Sequence, residues 1–179
     1  MSTVISLRTR DDVTFEVSKR VLEVFPNVES LARTDSETLA ASLYPAAFYR
    51  NKAQSLIRAA ESIVNDFGGA VPSDEEFLLS LPGVGRKTAQ LVRAEAFGIP
   101  AICVDIHVHR ISNRLGICTT QTAEETERAL EQYFKMDDWI RVNRIIVPFG
   151  QQICTPVSPW CTRCPLQTSC PRNGVTRSR

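Results

Sequence analysis

Apolar residues recur along this chain at three- and four-residue steps, the spacing that lines one face of an α-helix. Val13, Val17, Val21 and Val24 form one such stripe, and Pro26 closes it. The stretch VISLRTRDDVT reads as the end of one helix and the start of that striped one. Asn27 and Asp35 open two short helical pieces. Ala53, Leu56, Ala60, Ile63 and Phe67 form a longer stripe that stops at Gly68-Gly69, a C-cap signal. Ser73 with Glu76 three residues on predicts a capping box, and the short helix behind it is stopped by Pro82 and Gly83. A second helix is predicted from Arg86 to Phe97, ahead of Gly98 and Pro100. Thr122 with Glu125 gives another capping box, and Trp139, Val142, Ile146 and Phe149 a last stripe before Gly150. Strand-like alternation is scarce and no repeat is visible. The predicted class is all-α.

Composition changes this picture little. A chain of 179 residues, 43% hydrophobic and 23% charged, suits one ordinary domain or two small lobes. No apolar run is long enough to span a bilayer, and the N-terminus has no signal-peptide core. The expected address is therefore cytoplasmic, with association with the nucleoid and not with a membrane.

Charge adds more. Met1 to Asp138 carries 15 Lys/Arg against 20 Asp/Glu, whereas Trp139 to Arg179 carries six arginines and no acid. Such an asymmetry is either a solvated arginine-rich tail or the footprint of an anionic partner.

Ser73 to Phe97 reads as helix, glycine turn, helix. Gly83 and Gly85 leave backbone amides uncovered at a helix N-terminus, which suits a phosphate, although many glycine turns only join helices. Lys87 falls in the first turn of the second helix, where the macrodipole disfavours positive charge. Its face also carries Leu91 and Ala94, while Ala89, Val92 and Ala96 lie opposite, so the helix is expected to be buried on both sides and Lys87 partly desolvated. A lysine so placed suits a nucleophilic amine; the competing reading is a side chain that carries its ammonium out to water.

Asp105, in ICVDIHVHR, is placed to N-cap a helix from Ile106 to Asn113. His107 and His109 form an H-x-H pair without a third metal ligand nearby in sequence. Six cysteines in a chain without a secretory signal do not suggest disulfides. Cys103 sits among apolar residues as a small hydrophobe. Cys154, Cys161, Cys164 and Cys170 make C-x6-C-x2-C-x5-C, which on spacing alone suits either zinc or a [4Fe–4S] cluster.

LPGVGRKTA between two helices resembles the helix-hairpin-helix of the endonuclease III family of DNA glycosylases. FYRNKA, Phe48 to Ala53, resembles the family's segment before the hairpin. AFGIPAICVDIHVHRISNRLG, Ala96 to Gly116, resembles the segment after it, and FGQQIC with three further cysteines resembles the cluster motif. The resemblance covers nearly the whole chain. It implies a two-lobed fold, with a helical barrel lobe over 1–99 that contains the hairpin at 73–97, and an iron–sulfur lobe over 100–179. It also implies helices ahead of Met1 that this sequence does not carry.

The implied function is that of a bifunctional DNA glycosylase and abasic-site lyase in base excision repair. It would act as a monomer on double-stranded DNA with a damaged base, expected to be an oxidised pyrimidine. In that reading Lys87 is the nucleophile, and Asp105 stabilises the cationic sugar. Cys154, Cys161, Cys164 and Cys170 hold a [4Fe–4S] cluster. Gly83, Val84, Gly85, Arg86, Thr88 and Arg163 meet the DNA backbone. Related sequences carry a glutamine near SLRTRD that fills the gap left by the flipped base; here Leu7 and Arg8 stand there, and Arg8 is the candidate gap-filler. Relatives that only remove a base carry serine or tyrosine where this chain has Lys87. The alternatives are a T/G or U/G mismatch glycosylase, a non-catalytic DNA-binding hairpin protein, and a cluster-bearing redox or scaffold protein.

Overall fold

The computed structural model describes residues Met1–Arg179. Ten α-helices follow one another: α1 Ser2–Ser6, α2 Asp11–Val24, α3 Val28–Ala32, α4 Ser36–Leu43, α5 Tyr49–Phe67, α6 Glu75–Ser80, α7 Arg86–Phe97, α8 Ile106–Arg114, α9 Ala123–Tyr133 and α10 Trp139–Gln152. There is no strand, and no helix is long and apolar enough to cross a membrane. The chain divides into two compact units, Met1–Val92 and Arg93–Arg179. The division falls inside α7 and earlier than the 99/100 boundary expected from the resemblance.

Local capping follows the sequence with one shift. The Asn27 side chain accepts from the Ser30 amide at 2.8 Å, and Ser30 Oγ accepts back from the Asn27 amide at 3.4 Å. Asp35 accepts from the amides of Glu37 and Thr38, and Thr122 and Glu125 form the expected box. Ahead of α6, however, the cap is Asp74 and not Ser73: its carboxylate accepts from the Phe77 amide at 2.8 Å. A carboxylate is a stronger acceptor than a hydroxyl at the positive end of a helix, and the register moves by one.

The first unit is organised around α5. Ala53, Leu56 and Ala60 face a core with Ile5, Val17, Val21, Leu39 and Leu43. Val24 of the predicted stripe is 54% exposed, and Phe25 takes its place at 6%, because the chain leaves helical geometry at that residue and turns the ring inward. A second cluster on α5, Ala59 and Ile63, receives Leu78, Leu81 and Ala89 of the α6–α7 hairpin. Burying a leucine contributes about 1.5–3 kcal/mol, so Leu78 and Leu81 fix the hairpin firmly to its helix. Phe67 is exposed at 41% but stacks on Phe77 with ring centroids 4.2 Å apart.

In the second unit Val108 and Ile111 of α8 pack with Val142 and Ile146 of α10, together with Ile102, Val104 and Leu130. The α10 helix does not end at Gly150; it continues past Pro148 and Gly150 to Gln152. Gly150 serves a crossing instead. A Cβ there would sit 2.7 Å from His107 Nδ1 and 2.9 Å from Ile111 Cδ1, so only glycine lets α8 approach so closely.

Candidate active site and cysteine pocket

The hairpin turn is closed by the Val84 amide donating to the Leu81 carbonyl at 3.1 Å, and α7 starts with the Ala89 amide donating to Gly85 O at 3.0 Å. Its two glycines differ in kind. Gly83 has φ +80°, and an added Cβ would meet Ser55 Cβ at 3.1 Å. Both backbone and packing therefore demand glycine there. Gly85 has an ordinary φ, and nothing lies within 4 Å of where a Cβ would be. Neither backbone conformation nor packing requires a glycine at 85.

Glu75 ties the two arms, accepting from Gln90 Nε2 at 3.2 Å and lying 3.9 Å from the Arg86 guanidinium. Arg86 and Lys87 are exposed, and Val84 is half-buried. Thr88, expected at the DNA backbone, is 3% exposed, with its side chain turned into the fold. Lys87 departs from expectation too. The predicted burial of its helix on both sides fails at both ends, since Lys87 and Ala96 are exposed while Thr88, Ala89, Gln90 and Ala94 are buried. The first turn of α7 is therefore two-sided, with Thr88 and Ala89 turned into the fold and Arg86 and Lys87 turned out of it.

Arg8 lies between α1 and α2, exposed, with φ 55°. Its guanidinium stacks over the Phe48 ring, 5.6 Å from the centroid. Phe48, at the start of α5, also has φ 55° and is 58% exposed. A non-glycine residue in the left-handed region costs about 1–2 kcal/mol, and here two of them face each other. With Leu7, Asn51, Ser55 and Gly83 they line one pocket beside the hairpin turn. Beneath it lies a residue the sequence did not single out. Lys52 is 7% exposed, and its ammonium donates to the carbonyls of Ile5 and Leu7, both at 2.7 Å, and to Thr9 Oγ1 at 2.9 Å.

In the second unit Asp105 N-caps α8 as predicted. Its Oδ1 accepts from the amides of His107 and Val108, at 2.8 and 2.9 Å, which leaves Oδ2 for another partner. The H-x-H pair does not converge on a metal: His109 Nδ1 bonds Thr126 Oγ1 at 2.7 Å, while His107 Nδ1 accepts from Arg110 at 3.1 Å. Cys103 is buried at 1% exposure.

Cys154, Cys161, Cys164 and Cys170 line one small pocket, walled by Leu115, Phe149 and other apolar groups. No cysteine forms a disulfide. Donors are already aimed at two of the sulfurs, Arg114 Nη1 at Cys154 Sγ and the Leu166 amide at Cys164 Sγ, each at 3.4 Å. Arg114 is itself buried, and its fork also donates to the carbonyls of Thr155 and Pro156 at 2.7 Å. The guanidinium groups of Arg163 and Arg179 lie over the Trp160 ring, 5.3 and 4.1 Å from its centroid. Neither Arg114 nor Trp160 was legible in the sequence, because each acts across a loop that only the fold closes.

The comparisons with known proteins give the class: DNA repair enzymes built on a helical hairpin. The family profile for HhH-GPD superfamily base excision DNA repair proteins matches residues 1–136. Endonuclease III of Thermotoga maritima is 45% identical over 95% of this chain and 80% of its own length. Endonuclease III of Bacillus subtilis is 36% identical over 100% of this chain and 82% of its own. Among solved structures, a non-covalent endonuclease III–DNA complex superposes with a TM-score of 0.91 at 34% identity, covering 96% of this chain and 80% of that one. A trapped covalent endonuclease III–DNA intermediate gives 0.90 at 34% identity, covering 96% and 81%. The chain belongs to the endonuclease III family of HhH-GPD DNA glycosylases, enzymes of base excision repair that act on damaged DNA bases.

Proposed function

We propose that this enzyme removes oxidised pyrimidines from duplex DNA and then cuts the strand through a Schiff base on Lys87. The observation that carries the reading is the exposed amine of Lys87 in the first turn of α7, one residue beyond the open Gly85–Arg86 approach. The chain has four lysines, and Lys52 is ruled out as nucleophile because its ammonium is buried with three oxygen partners.

In this reading the amides at Gly83–Gly85 and the Arg86 guanidinium grip the phosphates of the lesion strand. The damaged nucleotide leaves the stack, and Arg8 fills the gap. The Lys87 amine attacks C1′ of the deoxyribose as the N-glycosidic bond breaks, and the electron pair of that bond leaves with the base. Positive charge develops on the sugar at this point, and the Asp105 carboxylate, fixed by two amides, offsets it. The attached nitrogen then loses a proton and its electron pair opens the C1′–O4′ bond, O4′ taking up a proton, and the resulting iminium acidifies the C2′ proton. Its loss expels the 3′ phosphate by β-elimination.

Cys154, Cys161, Cys164 and Cys170 fit a [4Fe–4S] cluster: four unpaired thiols around one apolar pocket, with N–H donors aimed at sulfur. A bound cluster would cross-link a loop that has little core of its own. The loop carries Arg163, which then serves as a phosphate contact, and the chain acts as a monomer on double-stranded DNA.

Borohydride reduction of a mixture with abasic-site duplex tests the reading. A covalent adduct is expected with the native chain and none with Lys87→Gln. An adduct that persists in that variant refutes it.

A further inference from the structure

A chain that fills a base gap with Arg8 must hold that residue ready, and nothing in the Arg8 backbone prefers the conformation it adopts. Its φ of 55° is unfavourable for arginine, so the surroundings must impose it. We infer that Lys52 is the positioning residue of the Arg8 turn, clamping both neighbours of Arg8 to the start of α5. This rests on the gap-filling assignment above.

The geometry is that of a three-point clamp. The last carbonyls of α1 have no partners within the helix. Lys52 Nζ supplies protons to Ile5 O and Leu7 O at 2.7 Å and to Thr9 Oγ1 at 2.9 Å. Leu7 and Thr9 flank Arg8, so one ammonium fixes the chain on either side of it. Thr9 Oγ1 also accepts from the Ala47 amide at 3.1 Å, the residue before Phe48. One node therefore sets both left-handed residues, Arg8 and Phe48, and with them the stacked pair that faces the pocket at Gly83.

A buried ammonium is costly, which argues that the clamp is used. Burial pushes the pKa of Lys52 below that of an exposed lysine, and three oxygen acceptors oppose that shift by favouring the charged form. An apolar residue of similar length would fill the same space without that cost but could not hold the three oxygens together.

The test is a double-mutant cycle on the full chain with Lys52→Met, Thr9→Val and Arg8→Ala. Three quantities are read: the melting temperature, the Kd for lesion duplex, and the fluorescence of 2-aminopurine placed opposite the lesion, which reports filling of the gap. Lys52→Met should weaken lesion binding about tenfold or more, as losing hydrogen bonds to a charged group does, and should abolish the 2-aminopurine response. In the Arg8→Ala background it should cost nothing further. Thr9→Val, which keeps Lys52, should show a smaller loss in the same direction, and it decides the matter if Lys52→Met does not melt cooperatively. Losses that multiply with that of Arg8→Ala, or a Lys52→Met chain that fills the gap normally, overturn the inference. So does an Arg8→Ala chain that binds like the native one while still forming the borohydride adduct. A native chain that forms no adduct refutes instead the reading on which the inference rests.

Discussion

The two hairpin glycines make opposite predictions. In Gly83→Ala the methyl group enters at φ +80° and 3.1 Å from Ser55 Cβ. The left-handed conformation costs about 1–2 kcal/mol for alanine, and the contact with Ser55 adds to it. A total of about 2 kcal/mol lowers the melting temperature of a chain this size by about 4–8 °C. In Gly85→Ala the backbone is ordinary and no atom lies within 4 Å of the methyl, so the folded state accepts it. Such a change stabilises by about 0.4–1 kcal/mol through the unfolded chain, and the melt should stay level or rise slightly. Its cost falls on DNA. A methyl at the N-terminus of α7 occupies the approach a phosphate oxygen needs, and losing a hydrogen bond to a charged group weakens binding by about tenfold to a hundredfold. Thermal melts followed by circular dichroism give the first quantity. Fluorescence anisotropy with a labelled duplex at fixed salt gives the second, since affinity depends steeply on ionic strength. A Gly85→Ala chain that binds DNA at native affinity with an unchanged melt refutes the close approach. A Gly83→Ala chain that melts like the native one refutes the packing argument.

Asp105 separates its two roles by substitution: Asp105→Asn keeps the cap acceptor and should leave the melt within a degree or so, while Asp105→Ala should lose about 1 kcal/mol of stability. Both should lower single-turnover base removal by about a hundredfold, and full turnover in Asp105→Asn would rule out the carboxylate's part in the chemistry. Glu125 accepts from the amides of Gln121 and Thr122, which hold its pKa below the ordinary 4.5, so its contribution is present above that pH and is lost as pH falls through the lower folded value. Melting temperature against pH should therefore show a flatter acid limb in Glu125→Gln, and an identical limb would discard the linkage. Arg163→Ala should reduce the slope of log Kd against log salt by about one unit and leave the cysteine pocket intact by cluster absorption; an unchanged slope would separate Arg163 from phosphate.

How far each feature can be read in the sequence follows the range of the interaction that makes it. Caps at Asn27, Asp35, Asp105 and Thr122 close between residues two or three apart, and the sequence carries them openly. The hairpin is also local, with its glycines, its following helix and its lysine inside one short segment. Even at this range a single step of register is lost where two acceptors compete, as Asp74 shows against Ser73. Burial is harder to read, because it depends on what the fold brings to a face. The alternation of apolar positions on α7 predicted a partly desolvated Lys87, yet that residue is exposed, and the inward places in the first turn go to Thr88 and Ala89. The clamp on Arg8 is out of reach of pattern altogether. Its three bonds join positions 47, 45 and 43 residues apart, and nothing in RNKA marks Lys52 as different from Lys87. One lysine type thus serves two ends. Where the fold leaves the amine exposed at a helix start, we propose that it does covalent chemistry. Where the fold surrounds it with the carbonyls of Ile5 and Leu7 and the hydroxyl of Thr9, each of its protons is committed and it holds the chain in place.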